Sequence, residues 1–199
     1  MNSLGNYNLK NKKGKVRALK RIKCKLKQLN EKEKNNLIED LIKKLNVSIP
    51  KGIKRNTLSW KEVVEMSKNN IYFGSHTLNH PILTNVSIKE AENEIKESKR
   101  IIEGNIKKKI KFFCYPNGEF SDFNDNIKKI INENDFECAV TYVPGFSSIN
   151  SDLFELRRVF VNCNDDIILL KNKLIGMDIF LANFYNLFKK LIKKRSGIC

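Results

Sequence analysis

An α/β fold, with parallel strands and helices packed outside them, is what this 199-residue sequence predicts. Two observations carry that reading. Short apolar and β-branched runs at residues 71–74, 110–115, 138–142 and 156–161 alternate with stretches of helical periodicity, and strand-helix-strand order joins parallel strands through crossover helices. The chemically distinctive residues also fall just past the first two runs: His76 and His80 after the first, and Tyr115-Pro116-Asn117-Gly118 at the end of the second. In such sheets, binding groups collect at the carboxyl ends of the strands.

Taken in order, residues 1–16 are rich in Asn, Gly and Lys and read as a disordered lead-in. Residues 17–57 form a basic helical segment. Leu37, Ile38, Leu41, Ile42 and Leu45 recur at helical spacing, and Asn30 with Glu33 has the form of a cap, so the stretch to residue 46 divides into two helices before a connector at 49–57. The α/β core spans 58–165. Ser59-Trp60-Lys61-Glu62 is a capping box opening a short helix through Met66, and Ser87 to Glu90 is a second box opening a helix over 87–104. A helix at 123–133 follows the second strand, and a loop rich in Gly and Ser precedes the last strand. C-terminal helices occupy 166–199 and end in a basic amphipathic stretch, 177–194, where Ile179, Phe180, Phe184, Leu187, Phe188, Leu191 and Ile192 share a face. It is too short and too interrupted to span a bilayer, so it packs on the body or rests on an anionic membrane surface.

The length and a hydrophobic content of 41% fit one domain with a real core. Lys and Arg number 38 against 22 Asp and Glu, a formal charge of +16 concentrated in residues 10–27 and 189–195. That bias admits a polyanionic partner or a plain compositional origin. The basic stretches lack the interleaved aromatics of a single-strand binding groove, which argues against nucleic acid. Five scattered cysteines with no CxxC pair indicate neither a disulfide framework nor a thiolate zinc site. Residues 1–27 have no secretory apolar stretch, so the expectation is a cytoplasmic protein, or one peripheral on the cytoplasmic side of a membrane.

His76 and His80 are the only histidines in the chain. Neutral imidazole is the commonest metal ligand, and two on one tight loop can face a single ion. A catalytic ion normally takes a third protein ligand as well. Three strings frame this pair: His76-Thr77-Leu78-Asn79-His80-Pro81, Phe113-Cys114-Tyr115-Pro116-Asn117-Gly118, and Glu137-Cys138-Ala139-Val140-Thr141. In order and spacing they resemble the metal-dependent polysaccharide deacetylases of carbohydrate esterase family 4, over about residues 58–160. The resemblance implies an incomplete, distorted β/α barrel and hydrolysis of N-acetyl groups on amino-sugar glycans. It further implies a divalent ion, zinc foremost, held by His76 and His80. Thr77 would buttress the loop, Tyr115, Pro116 and Gly118 would shape the turn, and the backbone N–H of Asn117 would stabilise the oxyanion.

The chain also departs from that family in three ways. No pair of adjacent aspartates precedes His76 to supply the general base and the third ligand; Glu39-Asp40 lies in a Lys-rich helical pattern. Cys114 stands where the family has Arg, and Asn117 where it has an aromatic residue. No histidine follows His80 to act as general acid. These departures predict a chain lacking the family's first strands, with reduced or no activity alone, unless Asp122, Asp125 or Glu119 fills the vacancy. Two other readings stay open: a non-catalytic glycan-binding or interaction module, and a basic peripheral membrane or nucleic-acid-binding protein.

Overall fold

Helices begin where a side chain can accept the first unpaired backbone N–H groups. The computed structural model describes residues 6–48 and 57–177, and within them the local capping signals operate. Asn30 and Glu33 form a reciprocal box at the start of α2 (Glu31–Leu45), as do Ser59 and Glu62 at α3 (Trp60–Lys68). Ser87 caps α4 (Ile88–Ile106) in one direction only, accepting from Glu90 N at 3.2 Å. The segment expected to be a disordered lead-in is helical from Lys12 onward. There α1 (Lys12–Leu26) starts because the Asn11 side chain accepts the Gly14 N–H at 2.8 Å, and buried Ala18 anchors the helix.

Three strands, β1 (Phe112–Cys114), β2 (Cys138–Pro144) and β3 (Leu156–Arg158), pair in parallel in the order β1-β2-β3. Phe113 stands opposite Ala139 and Val140 opposite Leu156, with an irregularity before Pro144 meets Arg158. The expected strand at 156–161 therefore stops at Arg158. The strand expected at 71–74 does not form. Asn70 turns the chain in the left-handed region, Ile71 and Tyr72 are exposed, and Phe73 alone of the run packs its side chain against the core. What remains of it is a single parallel bridge, in which Ser75 N donates to Phe112 O and Cys114 N to Ser75 O, each at 2.9 Å. Gly74 permits this approach, since a Cβ there would lie 2.7 Å from the Phe112 carbonyl oxygen. Among the described residues the sheet is small and parallel and does not close into a barrel.

The core lies between α4, the sheet and α5 (Asp125–Glu133), around Ala91, Ile95, Phe113, Ile127, Ile131 and Phe136. The inward face of α4 also carries Glu94, Ser98 and Lys99, all buried. Buried polar groups are costly unless bonded, and each of these is bonded. Lys99 Nζ donates to the carbonyls of Asn134 (2.7 Å) and Asp135 (3.0 Å), capping α5. Lys128 of α5 meets Asp125, Asp152 and Glu155 at 2.8, 3.1 and 2.7 Å, tying that helix to the turn before β3. After β3 comes α6 (Ile167–Leu174). Almost all of the amphipathic stretch at 177–194 lies outside the described residues, of which no helix is long and apolar enough to cross a membrane.

Candidate active site

Because β1 and the 75–113 bridge run in parallel, the segments that leave them emerge at one end of the sheet. One is the histidine loop at 76–81, the other the turn at 115–118. His76 Nδ1 lies 2.7 Å from the Cys114 carbonyl oxygen. A carbonyl can only accept, so Nδ1 carries the proton and Nε2 of the neutral ring keeps its lone pair. The rings of His76 and His80 stand edge-on, with centroids 4.7 Å apart. Hydrogen bonding with the Cys114 side chain holds the His76 pKa above its ordinary value. Burial, then repulsion from His76, holds that of His80 below.

The loop between the rings is strained and clamped. Thr77 and His80 sit at φ 65° and 58°. For β-branched Thr77 that conformation costs about 1–3 kcal/mol. Side chains offset it. Thr77 Oγ1 accepts from His80 N at 3.1 Å and donates to His76 O at 2.6 Å. From behind, Glu94 of α4 accepts from Leu78 N (2.8 Å) and Asn79 N (2.8 Å) through one oxygen and from Asn79 Nδ2 (2.7 Å) through the other. Ser98 Oγ donates to the Ile95 carbonyl at 2.9 Å, so its 2.5 Å contact with Ser75 Oγ is one that it accepts. The start and middle of the loop are thus both fastened to α4.

The second segment is held by aromatic packing and a tight turn. Tyr115 stacks on Phe123 at 4.3 Å and donates its hydroxyl to Phe154 O at 2.8 Å. Pro116 is buried. Asn117 and Gly118 are both left-handed, and a Cβ on Gly118 would meet Tyr142 N at 2.7 Å. Between the two segments opens a cavity of about 610 Å³, with His76, His80, Asn117 and Asp122 on its walls. Glu119 also lines it, and its backbone N–H donates to Asp122 Oδ2 at 2.9 Å. Asp125 is turned to Lys128 instead. Among the described residues, no three His, Cys, Asp or Glu side chains converge to hold a metal ion. By itself the imidazole pair would offer two of the three protein ligands that a catalytic ion normally takes.

Three residues here escape sequence reasoning. Glu94 was detectable in principle, as an acid on the inward face of an amphipathic helix. Lys27 and Arg158 reach the cavity only through the tertiary fold. Arg158 Nη2 donates to Cys114 Sγ at 3.0 Å, so a guanidinium arrives from β3 beside position 114, where the resembled family carries arginine in the turn itself. Its Nε is buried without a hydrogen-bond partner. Burial would push the Cys114 thiol up, but contact with His76 and Arg158 outweighs it and holds the thiol below its ordinary value.

Comparison with known proteins follows the same lines. A family model described as polysaccharide deacetylase matches residues 28–139, beginning upstream of the expected stretch and taking in α2. A protein of Bacillus subtilis (strain 168), YxkH, which bears a provisional name as a polysaccharide deacetylase, is 24% identical over 108 residues, 54% of this chain and 38% of its own length. The Streptococcus pyogenes deacetylase PplD, solved in complex with acetate, is 26% identical with a TM-score of 0.56, covering 60% of this chain and 52% of that one. A polysaccharide deacetylase from Bacillus cereus shares the fold at 23% identity and a TM-score of 0.53, covering 60% and 37%. The chain thus spans about half, or less, of the length of these relatives.

Proposed function

The chain belongs to the polysaccharide deacetylase family, and on that premise we propose that it hydrolyses N-acetyl groups of amino-sugar glycans, releasing acetate. The observation that carries this is the His76–His80 pair, with His76 oriented by the Cys114 carbonyl so that Nε2 is left to bind beside His80. Two neutral imidazoles suit a borderline divalent ion, zinc before others. The described residues supply two ligands to it, so the affinity expected of them is low.

The remaining roles belong to the protein's own groups. The Asn117 N–H, next to Pro116 on the cavity wall, is the donor proposed for charge developing on the acetamide oxygen, where a fixed backbone dipole acts without reorganising. Asp122 is the buried carboxylate on that wall and the base proposed to take a proton from water. Acetate bound in the PplD structure, a relative, supports acetyl removal as the reaction. A second reading, a module that binds glycan without turning it over, is favoured by the absence of a three-ligand group among the described residues.

One experiment separates the two. The purified chain is incubated with N-acetylchitooligosaccharide and zinc, and acetate release and bound zinc are measured. Slow release, abolished by a chelator and by His76→Ala, is expected. Saturable binding without acetate would establish the second reading, and neither binding nor release would refute both.

A further inference from the structure

Helix α1 carries Lys12, Lys13, Lys15, Arg17, Lys20, Arg21, Lys23 and Lys25 and no acidic residue. Most of these side chains are exposed, and among the described residues no ion pair reaches the helix. At 1.5 Å per residue it presents a basic track about 22 Å long. The track has a destination. Its C-terminal end, with Lys23 and Lys27, forms one wall of a groove of about 270 Å³ whose other wall is the histidine loop. Lys27, His80 and Asn117 line both this groove and the larger cavity, so the two are continuous. Arg158 extends the cationic lining to the far side of the site, with its Nε unpartnered.

The acids along this path do not cancel it. Glu94 is turned inward onto three N–H groups of the loop, and Asp122 accepts from the Glu119 backbone. That leaves Glu90 and Glu119 facing Lys23, Lys27 and Arg158. The track also has no aromatic residue on which a nucleobase could stack.

We propose that the glycan this chain engages is acidic, bearing phosphate or carboxylate groups, and that α1 guides it along Lys23 and Lys27 to the histidine loop. The inference rests on the deacetylase reading above, whose substrate class it narrows. Clustered cations raise the local concentration of a polyanion and speed its capture, and the gain falls as salt rises.

The test is fluorescence anisotropy on the full chain with three labelled N-acetylated oligosaccharides of equal length: a neutral chitooligosaccharide, a uronate-containing oligomer and a phosphodiester-linked oligomer. One or both acidic probes are expected to bind roughly tenfold tighter than the neutral one at about 0.05 M salt, and to lose that advantage near 0.5 M. Whichever acidic probe leads identifies the anionic group. The double charge reversal Lys20→Glu, Arg21→Glu, on exposed positions with helicity checked by circular dichroism, is expected to remove the advantage. Equal affinity for neutral and acidic probes, or an advantage that survives the reversal, would overturn the proposal. So would tighter binding to single-stranded DNA or phosphatidylglycerol vesicles than to either acidic glycan. Acetate release is scored separately: its absence from every probe counts against the deacetylase reading, while the affinities decide this one.

Discussion

Replacing Glu94 by alanine removes three hydrogen bonds that fix the histidine loop to α4. Bonds to a charged acceptor contribute about 1.5–3 kcal/mol each. Leu78 and Asn79 are exposed, so their freed N–H groups recover water and each bond counts at the low end. The three also act on one loop and do not add fully, which brings the loss to about 3 kcal/mol. With a urea dependence of about 2 kcal/mol per molar, the unfolding midpoint falls by about 1.5 M. Glu94→Gln keeps an oxygen for the two backbone donors, and the Asn79 amide can turn its own oxygen to meet the new NH2 group, so the cost drops to about 1 kcal/mol. Urea unfolding followed by circular dichroism measures both variants, and competition with a chromogenic chelator measures zinc. Zinc affinity should fall at least about tenfold in Glu94→Ala and little in Glu94→Gln, because the ring spacing depends on the clamped loop. Equal midpoints for the two variants, or a wild-type midpoint in Glu94→Ala, would refute the argument that this carboxylate sets the geometry of the site.

Other perturbations follow from the same structure. Lys128→Met leaves Asp125, Asp152 and Glu155 facing one another and should cost on the order of 1–2 kcal/mol at pH 7. Burial pulls the Asp152 pKa up, but the Phe154 N–H and Lys128 outweigh it and hold it below the ordinary value of 3.8. A depressed carboxylate stabilises the fold above its unfolded pKa and loses that contribution as pH falls through the folded one. The gap between wild type and Lys128→Met should therefore narrow between pH 7 and pH 3, and urea midpoints showing a constant gap would refute it. Gly118→Ala sets a left-handed φ of 78° and a 2.7 Å contact with Tyr142 N against a new Cβ, and should destabilise by about 2 kcal/mol or more. Gly104→Ala, in α4 with no atom within 4 Å of its Cβ, should stabilise by up to about 1 kcal/mol, and thermal unfolding compares the pair.

What the sequence discloses here follows the range of the interaction. Capping at Asn30 and Ser59 depends on residues three apart, and both boxes form as read. β1 and β2 were legible because Phe113 and Ala139 sit in short apolar runs that the sheet buries. The run at 71–74 has similar composition but no paired edge, since strand pairing depends on distant partners and on Asn70 turning the chain, which composition does not encode. The histidines and the Pro116 turn could be placed on one rim from βαβ logic alone. Their clamp was harder to read, because Glu94 lies fourteen positions beyond His80 and its only signal is an acid on the inward face of an amphipathic helix. Arg158 is the clearest case: from sequence, position 114 lacks its arginine, and in three dimensions a guanidinium from another strand stands beside it.

Tyr115 borders the cavity, and its phenol is spoken for. Burial pushes its pKa far above the ordinary tyrosine value, and its proton is already given to the Phe154 carbonyl. A phenol held this way is a poor proton donor or acceptor near neutral pH. It acts as a strut from the sheet to the segment before β3.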